Sequence, residues 1–231
     1  MKPVAEDKPA IQPGTETIVM VRHGEKPMPE ARGQLSCQGL NRALSLPTVL
    51  ARFGKPAAIF AADPASETTE GNPLPWATKY SYVRPLATIE PYAIAWGMPV
   101  NAQIAAGDIR DLQRELLKPE LSHALVVVAW EHLEARKFAE QMLTAFGLSQ
   151  IVPSWENSDY ETIYVFRITD GKSNRKLTFS VEHEDLGSLP TACFTVPPAN
   201  KPAETKPAIA PVGAAAPQSP AQKPDAPPAQ Q

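Results

Sequence analysis

The chain has little of what marks several protein classes. It holds two cysteines in 231 residues, Cys37 and Cys193, far apart and without metal-type spacing. Neither a structural zinc site nor a disulfide framework is therefore expected, while a single bridge stays open. No apolar run approaches the roughly 20 residues that cross a bilayer, so no membrane span is expected. Charge of one sign is not in excess: 22 Lys plus Arg stand against 25 Asp plus Glu, for a formal net charge of −3. That balance lacks the footprint of a nucleic-acid binder, although it leaves room for a local basic pocket that takes one small anion. The opening MKPVAEDKPAIQPG has no apolar core of a secretory signal. A cytoplasmic location is the expectation, with export the alternative if a signal has been removed.

Proline, by contrast, is plentiful, with 26 residues. Many fall in 197–231, a stretch of Pro, Ala, Gln and Lys without an aromatic residue, too poor in apolar area to offset its chain entropy. Three segments follow: a flexible arm over 1–14, one domain over 15–196, and a disordered tail over 197–231.

Within the domain, strand and helix signals alternate. Thr17 to Arg22 reads as a buried strand. A helix follows with Leu40, Ala43, Leu44, Leu50 and Phe53 at helical spacing, Ser36 as N-cap, and Pro47 expected to kink or split it. Residues 57–62 and 124–130 are short buried strands, and 84–96 and 108–117 are helices. A helix carrying Ala135, Phe138, Ala139, Met142 and Phe146 on one face ends at Gly147. Residues 162–168 and 176–183 alternate like partly exposed strands. This order predicts an α/β fold, a three-layer α/β/α sandwich around a mostly parallel sheet.

Ligands in such sheets sit beyond the carboxyl ends of the strands. Two apolar strands end there on polar clusters: IVMV on Arg22-His23-Gly24, and ALVVVAW on Glu131-His132. If the strands are neighbours, two imidazoles meet in one pocket beside a guanidinium. Gly24 allows close approach of chain or ligand. An arginine fork grips phosphoryl oxygens, and neutral imidazole, favoured by nearby cations, is a nucleophile. These parts suit phosphoryl transfer through a phosphohistidine. A zinc site would need a third ligand, and none has recognisable spacing.

VMVRHGEK followed by LSCQGLNRA resembles the opening of the histidine phosphatase superfamily, which includes phosphoglycerate mutases and phosphohistidine phosphatases. Leu35, Ser36 and Gly39 match the Leu-Ser/Thr-x-x-Gly helix start, Arg84 and Thr88 the Arg-x-x-x-Thr motif, and VVVAWEH the second-histidine strand, over roughly 16–185. The resemblance implies a phosphoglycerate mutase-like fold, His23 as the nucleophile, and Arg22, Arg84 and His132 holding the phosphoryl oxygens. It implies no metal and no organic cofactor. The substrate would be a phosphorylated small molecule or a phosphoprotein. The mutase-type acid motif is not recognisable in MPVNAQIAAGDIRDLQREL. Glu131 is the first candidate for the general acid, provided the chain leaves the strand there, and Asp108 the second.

Two further readings remain beside a phosphatase: a phosphate-binding protein without turnover, and, less favoured, a mutase. The stretch 63–83 is either a loop over the pocket mouth or a surface excursion. Glu25 and Lys26 stand at the pocket rim or in solvent. Trp155, Asp159 and Tyr160 read as a fold-stabilising turn, and His123 and His183 as surface residues.

Overall fold

A computed structural model of the chain describes residues 14–27, 32–68, 79–170 and 175–193. The arm up to residue 13, part of the 63–83 stretch including Trp76, and the tail over 197–231 lie outside the described residues.

The elements follow the alternation expected, in the order β1 (Thr15–Arg22), α1 (Cys37–Leu50), β2 (Ala58–Ala62), β3 (Glu67–Thr68), β4 (Tyr80–Ser81), α2 (Arg84–Trp96), β5 (Asn101–Ile104), α3 (Ile109–Leu116), β6 (Leu125–Trp130), α4 (His132–Ala145), β7 (Thr162–Asp170) and β8 (Arg175–His183). Six strands form one sheet in the order β5-β2-β6-β1-β7-β8. The β5, β2, β6 and β1 pairings are parallel, while β7 and β8 add an antiparallel edge. β5 carries no apolar signature, only NAQI at the sheet edge, so the sequence pattern did not reveal it. β3 and β4 form a short separate hairpin within 63–83.

The period-2 rule of strands sorts the core into two halves. Ile18, Met20, Phe60, Val126 and Val128 point to the face covered by α3 and α4, where they meet Leu112, Leu116, Phe138 and Met142. Val19, Val21, Ile59, Ala61 and Val127 point to the other face, against Leu46 and Leu50 of α1 and Ile89 and Tyr92 of α2. The result is the three-layer sandwich, with both faces of β1 and β6 dry. β7, flanked by β1 and β8, is mostly buried, whereas β8 alternates as expected.

Two features of α1 differ from the apolar pattern. The helix runs through Pro47 unbroken, and the N–H of Ala51 still donates to the Pro47 carbonyl. Buried Ala43, Leu46, Val49 and Leu50 on either side of the proline hold it in place. The buried face is also rotated: Leu40 and Leu44 are exposed, and Gly39 and Arg42 face inward. Gly39 is there because the backbone at Gly24 lies against it; a Cβ on Gly24 would stand 2.8 Å from the Gly39 carbonyl oxygen. Arg42 is there because three carboxylates surround it: Glu25 in a bidentate pair, Glu161 at 2.7 Å and Glu184 at 2.5 Å. Burial pushes the Glu184 carboxyl up to about 7, against the pull of Arg42.

Cys37, the first residue of α1, forms a disulfide with Cys193. The single bridge is thus the outcome among the readings left open. It ties the stretch after β8 to the helix start, and Asn41 Nδ2 adds a 2.8 Å hydrogen bond to the Pro190 carbonyl.

Two outcomes are expected. Reducing the disulfide, which closes a loop with a sequence separation of 156, should destabilise the domain by about 2–5 kcal/mol, read as a lower Tm with reductant. Glu184 binds a proton in the folded state up to about pH 7 that the unfolded chain releases near 4.5. Its contribution to stability therefore falls as pH rises from about 4.5 to 7. Melting curves of Glu184→Gln should show a smaller loss of Tm between pH 5 and 8 than the parent.

Candidate active site

Arg22 and Trp130 are register partners in the parallel β1–β6 pair, so both strands end at one level. The His23 N–H donates to the Trp130 carbonyl (3.0 Å), which extends the pairing by one residue into the site. The chain leaves β6 at Glu131, which becomes the N-cap of α4, and His132 is the first helical residue. That turn lets Glu131 and His132 line the same pocket, as the acid assignment required. Arg84 begins α2 and closes the third side. Arg22, His23, Arg84 and His132, predicted from three places in the chain, are all buried and line one cavity of about 730 Å³.

His23 is held in a defined tautomer. Its Nδ1 lies 2.8 Å from the Gly24 carbonyl oxygen. An oxygen of that kind only accepts, so Nδ1 carries the proton and Nε2 keeps its lone pair. Burial pushes the ring well below the usual histidine value, with Arg84, Arg22 and His132 acting in the same direction. The ring is therefore neutral at physiological pH, the nucleophilic form.

Thr88 accounts for the Arg-x-x-x-Thr spacing. Its Oγ1 accepts the Gly24 N–H at 2.9 Å and donates to the Arg84 carbonyl one turn back at 2.8 Å. One fully buried hydroxyl thus fixes the first turn of α2 against the loop that carries His23. Arg84 also lies with its guanidinium 5.0 Å from the Tyr82 ring centroid.

The segment 155–160, expected as a fold-stabilising turn, does that and more. Asp159 caps its own loop, accepting from the Glu161 and Thr162 N–H groups and from the Thr162 hydroxyl. Burial alone would raise the Asp159 carboxyl, but those hydrogen bonds and Arg22 hold it low. The carbonyls of Glu156, Asn157 and Asp159 all accept from Arg22 Nη1, at 3.2, 3.0 and 2.6 Å. The Tyr160 ring lies 4.0 Å from the same guanidinium. Asn157 lines the pocket and puts Oδ1 2.8 Å from His132 Nε2. The sequence offered no signal for Asn157 beyond its place in a polar turn.

Glu131 Oε2 accepts the Glu134 N–H, and Oε1 lies 2.5 Å from His132 Nδ1. The contact is close, but its angle is poor for a hydrogen bond, since Nδ1 has no well-aligned acceptor. Burial works to raise the Glu131 carboxyl, but His132 and the backbone N–H groups of Glu134 and Leu133 outweigh it and hold it low. Without substrate it is ionised. Asp108, the second acid candidate, is exposed before α3 and lines a neighbouring cleft with Asp111 and Lys137, outside the main pocket. Lys26 is on the rim, while Glu25 does not line the pocket and is paired with Arg42. Ser66, Glu67 and Tyr82 bring both ends of the 63–83 stretch to the pocket. His123 and His183 are away from it and exposed. Among the described residues, no group of His, Cys, Asp and Glu could hold a metal ion.

No family model and no curated protein matches the chain. Among solved structures, it is similar to the native mycobacterial glucosyl-3-phosphoglycerate phosphatase, with 13% identity and a TM-score of 0.48 over 72% of this chain and 97% of that one. The complex of that phosphatase with VO3 gives 14%, a TM-score of 0.46, and coverage of 73% and 98%. A candidate phosphohistidine phosphatase SixA from Nakamurella multipartitia gives 14%, 0.44, and coverage of 74% and 96%. Likenesses this distant carry no weight for function, which rests on the geometry of the site.

Thr88→Val should expose the importance of the Gly24 link. It leaves a buried N–H unpaired, so a loss of about 1–3 kcal/mol in chemical denaturation is expected, together with weaker phosphate binding by calorimetry.

Proposed function

We propose that the domain over 15–196 is a histidine phosphatase that works without a metal or organic cofactor. It would hydrolyse a phosphomonoester or phosphoprotein through a phosphohistidine on His23. The observation that carries this reading is His23 itself: a buried, neutral ring with Nδ1 tied to Gly24 and Nε2 unencumbered, among Arg22, Arg84 and His132.

In the first step Nε2 forms a bond to phosphorus as the bond to the leaving oxygen breaks. Arg22, Arg84 and His132 stabilise the charge on the phosphoryl oxygens, while Gly24, which the sequence offered as a close-approach point for ligand, packs against Gly39 and does not line the pocket. The Gly24 carbonyl holds Nδ1–H and stabilises the charge that His23 acquires. In the second step water attacks phosphorus, the P–N bond breaks, and phosphate leaves with His23 restored. The leaving oxygen needs a proton, and the attacking water must lose one. Glu131 serves both needs in this proposal. It is ionised alone, but a dianionic phosphoryl group beside it disfavours its charge and moves it toward the protonated form.

The cavity volume of about 730 Å³ is in the range of small-molecule sites. It supports a phosphorylated small molecule as readily as a phosphorylated side chain. The Cys37–Cys193 bridge supports an oxidising compartment, hence the exported alternative over the cytoplasm. No helix among the described residues is long and apolar enough to cross a membrane.

Turnover of an aryl phosphate by the purified protein should be abolished in His23→Ala and reduced about 100- to 1,000-fold in Arg84→Ala. Equal turnover by the parent and His23→Ala would overturn the reading. The ionised, N-capping state of Glu131 favours one alternative, a phosphate-binding protein without turnover. Vanadate binding with no hydrolysis over a broad phosphoester panel would identify it.

A further inference from the structure

We infer that Asn157 is a phosphoryl-site residue, one that aligns His132 and offers an uncharged amide to the bound anion. The inference rests on the reading of the pocket as a phosphoryl site. The sequence motifs account for Arg22, His23, Arg84 and His132 but not for what orients Arg22 and His132. Residue 157 touches both of them. Its backbone carbonyl accepts from Arg22 Nη1 at 3.0 Å, and its side-chain Oδ1 lies 2.8 Å from His132 Nε2. His132 is buried and has Glu131 at its other nitrogen, so these two contacts define the plane of the ring.

Asn157 is exposed at the pocket edge, yet its loop is anchored from within by Arg22 and by the Asp159 cap. A side chain so placed is accessible to an incoming anion and is not needed to fill the core. With Oδ1 turned to His132, the remaining end of the carboxamide is Nδ2, a donor only, which suits a phosphoryl oxygen. Neutrality is the key property. A carboxylate at this position would align His132 equally well and would repel the anion.

The test compares Asn157→Ala and Asn157→Asp with the parent, using orthovanadate affinity and aryl phosphate kinetics, with His23→Ala as the control for the underlying reading. Asn157→Ala should weaken vanadate binding about tenfold. Asn157→Asp should weaken it more, by about 100-fold, and raise KM further than alanine does, with Tm close to the parent. A merely structural role predicts the reverse order, since aspartate is isosteric and keeps the acceptor for His132. Should alanine disturb the loop, seen as a lower Tm, the aspartate variant decides alone. Parent-like affinity in Asn157→Asp would overturn the inference while His23→Ala still shows the phosphoryl reading to hold. A parent protein with neither vanadate binding nor turnover would remove both.

Discussion

Parallel pairing of β1 with β6 brings the carboxyl ends of two apolar strands to the same height, and the pocket exists because of it. With Arg22 opposite Trp130, the next residues on one strand are His23 and Gly24 and on the other Glu131 and His132. A register slip by one residue would turn every side chain of the strand to the wrong face of the sheet. Ile18, Met20, Val126 and Val128 on one face and Val19, Val21 and Val127 on the other make such a slip costly. The core thus sets the site to within a residue.

Burying two guanidiniums beside two imidazoles costs solvation, and the structure offsets it with backbone rather than with a matching set of anions. Arg22 takes three carbonyls and an aromatic face. His132 takes Asn157 and the single carboxylate Glu131. His23 stays neutral. Partners of this kind leave positive potential directed at the pocket, where a full set of carboxylates would cancel it. The carboxylates that do cluster nearby, Glu25, Glu161 and Glu184, are instead gathered around Arg42.

The Arg42 cluster and the Gly24–Gly39 contact explain where the apolar pattern misleads. α1 turns Gly39 and Arg42 inward and leaves Leu40 and Leu44 in solvent, because the helix start must admit the Gly24 loop and neutralise buried carboxylates. An apolar-periodicity argument gives no weight to either need. The same blindness hid β5, whose four residues pair by backbone hydrogen bonds at a sheet edge, and Asn157, whose role depends on side chains over 20 residues away in sequence.

The alternation of strands and helices, the burial of β1 and β6, and the residue types that end them were legible in the sequence, because period and local chemistry are properties of short stretches. The sequence also carried the Arg84–Thr88 spacing, since one helical turn is local too. The placement of β6 rather than β2 beside β1, the Cys37–Cys193 bridge, the turn of Glu131 but not Asp108 into the pocket, and the hold of the 155–160 loop on Arg22 and His132 came with the folded chain. Each of these joins distant segments, and such contacts are set by how whole faces pack, not by any residue's neighbours in the chain.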